Sequence, residues 1–89
     1  MPAIPPLVSL FPNPVSQSAT LLLSCSEMST RKIFVRNEAD EEVQMITQGL
    51  IPEGMHTYEI DGSNLLPGIY FITIEEENKV QQSFRFIKQ

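Results

Sequence analysis

Hydrophobic and polar residues alternate with a period of two along most of this chain. Leu7 to Phe11 gives a first short run, and Ala19 to Ser26 a second, with Ala19, Leu21, Leu23 and Cys25 on one face. Arg31 to Arg36 sets Ile33 and Val35 against Lys32, Phe34 and Arg36, and Glu42 to Thr47 places Val43 and Met45 together. Met55 to Asp61 alternates His56, Tyr58 and Ile60 with Thr57 and Glu59. Gly68 to Glu75 is almost wholly apolar, with Tyr70, Ile72 and Ile74 on one side and Ile69 and Phe71 on the other. Lys79 to Ile87 places Val80, Phe84 and Phe86 on one face. Runs of this length and period predict strands, and no stretch sustains the 3.6-residue period of a helix.

The connections carry turn chemistry. Asn37 to Glu41 offers Asn and Asp for a hairpin bend, and Glu76 to Asn78 does the same before the last strand. Gly49 to Gly54, with Pro52, reads as a longer loop. Leu66-Pro67-Gly68-Ile69 fits a type II turn, with Pro second and Gly third, where φ is positive. Short strands at this spacing predict an all-β fold, an immunoglobulin-like antiparallel β-sandwich of about seven strands, with a closed barrel as the lesser alternative. Tyr70, just after a turn and at the start of the strongest strand, is a candidate for the corner tyrosine of such sandwiches; a plain core tyrosine is the alternative.

One stretch breaks the alternation. In Ser9 to Gln17, SLFPNPVSQ, Pro12 and Pro14 flank Asn13. Each proline lacks an N–H and biases its predecessor towards extended backbone, so Phe11 to Pro14 reads as stiff and able to pair on one edge only. Asn13-Pro14 also favours a turn, which would end the first strand and lead into the second. The missing donors would protect that edge from stray chains.

Length and charge narrow the picture. The 89 residues, 42% of them hydrophobic, suit one small domain over 7–89, with residues 1–6 (Pro2, Pro5 and Pro6 among them) as a linker remnant or start segment. No apolar run is long enough to insert in a membrane as a helix, and no leader pattern stands at the start. Eleven acidic against six basic residues give a net charge of −5, which argues against nucleic-acid binding. The acidic runs Asp40-Glu41-Glu42 and Glu75-Glu76-Glu77 read as solvated hairpin tips.

Candidate chemistry is sparse. Cys25 is the only cysteine, so no internal disulfide forms, and its apolar-alternating run predicts a buried, inert thiol. His56 has no partner pattern around it and reads as structural. The four glycines are dispersed at 49, 54, 62 and 68, so no phosphate loop forms, and no carboxylate pair or ligand cluster suggests catalysis or a metal. The expectation is a non-enzymatic domain with no cofactor.

Three segments together carry more: LFPNPVS at 10–16, LLPGIYFITI at 65–74 and VQQSFRFIKQ at 80–89. In this order and spacing they resemble the C-terminal sorting domain of the type IX (Por) secretion system, type A. That family opens on a Leu-Tyr-Pro-Asn-Pro-like motif, passes through a Leu-Pro-x-Gly-x-Tyr-like segment and ends in an apolar strand with a late Lys. The matching positions are Leu10, Phe11, Pro12, Asn13 and Pro14; Gly68 and Tyr70; and Phe84, Arg85, Phe86 and Lys88. Phe11 replaces the commoner Tyr, and Asp40 or a neighbour stands where the family's turn glycine falls.

The resemblance implies an address rather than a catalyst. Such a domain is joined to an N-terminal cargo protein absent from this chain, which passes through the periplasm. An outer-membrane translocon then takes it to the cell surface or the medium, and a surface sortase typically removes the domain. A signal shared by unrelated cargos could be read through the main chain of an edge strand, here Lys79 to Ile87, helped by an outward apolar patch of Leu22, Phe34 and Phe71. A second reading is an adhesion or carbohydrate-binding module, against which stands the absence of Trp; a third is a structural spacer.

Overall fold

A computed structural model describes residues 6–76 and 82–89. Strands β1 (Leu7–Phe11), β2 (Ser18–Cys25), β3 (Ser29–Asn37), β4 (Glu42–Ile51), β5 (Gly54–Asp61), β6 (Gly68–Glu76) and β7 (Gln82–Lys88) follow one another, with a 3-10 turn at Gly62–Asn64. They form two separate sheets, ordered β1-β2-β5 and β4-β3-β6-β7, with every neighbouring pair antiparallel. The arrangement is an immunoglobulin-like sandwich in which the fourth strand joins the second sheet. No helix among the described residues is long and apolar enough to cross a membrane.

The inward faces of β2, β3 and β6 are those that the alternation predicts; on β4 the pair Val43 and Met45 faces outward instead, 42% and 44% exposed, and Ile46 packs against the core. Ala19, Leu21, Leu23 and Cys25 of β2 meet Ile33 and Val35 of β3 and Tyr70, Ile72 and Ile74 of β6 in one core, with Ile60 and Phe86 completing it. Phe84 packs against this core from β7. Val80 and the start of the predicted last strand lie outside the described residues, as do Glu77, Asn78 and most of the 1–6 lead-in; Pro6 is buried.

Several expectations change. Gly49 to Gly54 is not a loop, because β4 runs on through Gly49 to Ile51, whose side chain is buried in the core opposite Ser29. Only Pro52 and Glu53 remain to turn the chain into β5. Phe11 to Pro14 is not one extended stretch: β1 stops at Phe11, the chain bends at Pro12, Asn13 and Pro14, and both X–Pro bonds are cis. Gly68 has positive φ, but at 154° it lies far from the roughly +80° of a type II turn and already pairs with Lys88 in β6. Finally, Phe34 points outward yet is only 5% exposed, with the Lys32 ammonium 4.6 Å from its ring centroid. Leu22 and Phe71 are half-buried, and the Arg36 guanidinium lies 5.9 Å from the Phe71 ring. Lys32 and Arg36 thus lie over Phe34 and Phe71 on the face that alternation alone leaves apolar.

The β3–β4 turn accounts for the position lacking a glycine. Asp40 itself adopts positive φ, at 67°, a conformation that Asp tolerates better than most residues. The Asn37 side chain holds the bend by accepting from the Ala39 and Glu41 N–H groups at 2.9 and 3.0 Å. The carboxylate of Asp40 pairs with Arg36, and Glu42 pairs with Lys32 at 2.7 Å. This acidic run is a solvated tip as expected. In the other run Glu75 is exposed, but Glu76 reaches inward to Arg31, and Glu77 lies outside the described residues.

Candidate recognition surface

Strand directions gather one set of chain ends at each pole of the molecule, which measures 40 × 24 × 19 Å. At one pole stand the end of β1 with the Pro-Asn-Pro bends, the Asn37–Glu41 turn, the crossing from Asp61 to Gly68, and the end of β7. The three sequence segments therefore converge here.

The contacts joining them are mainly main-chain. After the bends Val15 lies parallel to β7, its N–H donating to the Ile87 carbonyl and its carbonyl accepting from Gln89 N–H, both at 2.8 Å. Asn13 Oδ1 accepts from Ile87 N–H at 3.3 Å. The first segment leaves one sheet and adds a short margin to the other. This fits the missing proline donors, because Val15, just past Pro14, is where main-chain pairing resumes. Val15 is fully buried. The proline pattern leaves Val15 able to pair, and an apolar residue directly after a double-proline bend is a signal for a buried anchor.

Gly62 makes the packing possible. A Cβ there would stand 3.0 Å from both the Gln17 carbonyl oxygen and Val15 Cγ1, and 3.3 Å from Lys88 Cε. The Gly62 N–H donates to the same Gln17 oxygen at 2.7 Å. Asp61 caps the 3-10 turn by accepting from the Ser63 N–H and hydroxyl, and these bonds, the hydroxyl's foremost, hold its carboxyl below the usual carboxylate range. From β4, Gln44 pairs through both side-chain atoms with the Asp61 main chain, at 2.8 and 3.1 Å, linking the two sheets on the other flank.

Tyr70 occupies the corner. Its hydroxyl donates to the Leu66 carbonyl at 2.6 Å, tying down the segment that crosses between sheets, and its ring stacks on Phe86 with centroids 5.7 Å apart. This is the corner tyrosine of immunoglobulin-like domains. Since Tyr70 pins the crossing through a side chain, no tight backbone turn is needed at Gly68.

The motif residues divide by what they do. Asn13, Gly68, Tyr70, Phe86 and Lys88 meet at this pole, Leu10 and Phe84 pack on the core, and Pro12 and Pro14 are exposed on the bends. Phe11, 51% exposed, and Arg85 face outward on different sheets. The sequence matches the secretion system C-terminal sorting domain family over residues 9–89. The chain belongs to this family. The domain is thus a C-terminal sorting domain of the type IX secretion system, and its role lies in export to the cell surface or the medium. No curated protein matches the sequence.

The opposite pole of the sorting domain holds its buried polar cluster. Arg31, 2% exposed, donates through Nε to Glu76 Oε1 at 3.0 Å and points its outer nitrogens at the Glu27 carbonyl. Arg31 shares the inward phase of Ile33 and Val35, which carries it inside. Burial pushes the nearby Cys25 thiol up, against a smaller opposing pull from Arg31. Such a thiol is inert. His56 is bound through Nε2 to the Pro52 carbonyl at 2.8 Å. Among the described residues no group of three or more His, Cys, Asp or Glu side chains could hold a metal.

Proposed function

We propose that this domain is a non-catalytic address that carries a cargo protein, joined ahead of Leu7, through the periplasm to the outer-membrane translocon of the type IX system. There the cargo crosses, and a cell-surface sortase removes the domain. The observation that carries this reading is the convergence at one pole. Asn13 and Val15 are bonded to the last strand, and Tyr70 ties the central segment to the same place. The family's three segments therefore form one surface rather than three separate ones. Leu7 starts β1 at the far pole, opposite Ser24, so a preceding cargo joins at the end remote from that surface. Such a layout suits a signal that is read alike whatever it carries.

The test is a fusion of residues 7–89 behind a signal peptide and a reporter, in a host that has this machinery. Surface display that disappears in a translocon mutant supports the reading. A reporter still displayed after truncation before Val80 defeats it, and binding of the isolated domain to a glycan array would favour an adhesion module instead. Recovery of the domain still joined to displayed cargo in a sortase-competent host defeats the cleavage step alone.

A further inference from the structure

We infer that the open half of the β7 margin, Ser83 to Arg85, takes an extended acidic segment of a partner protein as an added strand. The inference deepens the sorting-signal reading and rests on it.

The margin is defined by hydrogen-bond phase. Ile87 turns both its N–H and its C=O away from β6, towards Asn13 and Val15. The β6–β7 register runs without a shift from Gly68↔Lys88 to Ile74↔Gln82. The two-residue period therefore turns the N–H and C=O of Arg85 and Ser83 to the same side. Val15 covers that side only at Ile87 and Gln89. Beyond it no strand among the described residues pairs with this side of Ser83 and Arg85, both of which are exposed, and the Val15 segment marks where an added strand must stop.

The charge of the occupant follows from Arg85. Arg31 pairs with Glu76, Lys32 with Glu42 and Arg36 with Asp40, while Lys88 Nζ donates to the Gln89 carbonyl. Arg85 is exposed, and among the described cations it alone has no carboxylate or carbonyl partner. It lies beside Phe71 in the row Arg36–Phe71–Arg85, which presents a guanidinium on each side of a half-buried ring. A carboxylate on an incoming strand could meet Arg85 in a bidentate pair while the main chains join. Screening confines the choice to charges this close, so the overall charge of −5 does not reverse it.

The same arginine argues against a second copy. Antiparallel pairing of two β7 margins over their open residues sets Ser83 opposite Arg85 and leaves the two Arg85 side chains diagonal on one face, where their like charges gain no partner and oppose the pairing.

The test is an amide NMR titration of the whole chain with a peptide of about ten residues alternating Thr and Glu, and with its Thr-Lys counterpart. The Ser83 and Arg85 amides should shift with the acidic peptide, which should bind at least roughly tenfold more tightly than the basic one. Ser83→Ala keeps the N–H and should bind; Ser83→Pro removes it and should not, although proline is tolerated on such a margin. R85E should reverse the charge preference, which keeps the test decisive if Ser83→Pro fails to fold. Equal binding of both peptides, unchanged binding by a folded Ser83→Pro, or shifts confined to β5 overturn the inference. So does a concentration-dependent dimer that protects the Ser83 and Arg85 amides. If Ser83→Pro and R85E reporter fusions are exported like the parent, the added strand falls while the sorting reading stands. If the parent fusion is never exported, the sorting reading falls whatever the peptides do.

Discussion

The two poles of this sandwich are closed by different physics. At the pole where the family's segments meet, main-chain bonds, a corner tyrosine and one close glycine contact hold the ends. At the other, a charged pair is buried between the sheets. The main-chain bonds that join the family's segments at the first pole depend little on which side chains those segments carry. A buried ion pair depends on two particular side chains, and much of its worth is the avoidance of an unpaired charge.

The largest expected effect tests that dependence. Glu76→Ala leaves the Arg31 guanidinium buried without its carboxylate and should cost about 3–5 kcal/mol in a denaturant titration. Replacing both partners, as Arg31→Met with Glu76→Leu, should recover most of that loss. A double variant as unstable as the single would show that this pole is not closed by the pair. Next, Val15→Ala should cost about 2 kcal/mol, from lost burial and an unfilled space. Gly62→Ala should cost roughly 1–3 kcal/mol, as its Cβ presses on the Gln17 carbonyl and Val15. If both are silent, the motif pole is looser than its contacts imply. Tyr70→Phe keeps the ring stack and removes one hydrogen bond, with an expected loss of about 1 kcal/mol in the same measurement.

The smallest effect is a pH dependence at the motif pole. Asp61 has a depressed folded-state pKa, so its contribution is present above the ordinary Asp value of about 3.9 and is lost as pH falls through the folded value. The stability difference between the parent and Asp61→Asn should therefore shrink from neutral to strongly acidic pH. A difference that grows on acidification would assign the acid sensitivity elsewhere.

Much of this was legible in the residues, and the misses have physical reasons. Period-two alternation placed the inward faces of β2, β3 and β6, because a half-buried sheet imposes that period directly. Gly49 and Gly54 suggested a loop, yet Ile51 is a core residue and its burial carries β4 past Gly49. Phe34 was placed on the correct face but was expected to be exposed, since alternation says nothing about a neighbouring lysine lying over a ring. Glu76 was grouped with its acidic neighbours although its partner, Arg31, had the inward phase. At the motif pole the participating residues were identified through family resemblance, but their meeting was not. The pairing of Val15 with Ile87 spans nearly the whole chain, and local pattern does not encode such a contact.

That pairing also sets when the domain becomes itself. Contacts this distant in sequence form late, because the intervening loop must close before they repay its entropy. A chain broken off before Ile87 leaves Val15 with nothing to lie against and the first segment without its second sheet. The surface that gathers all three segments exists only in a chain synthesised through to its last strand. The domain is thus an end-of-message seal: an incomplete product carries the words of the address but never the folded stamp.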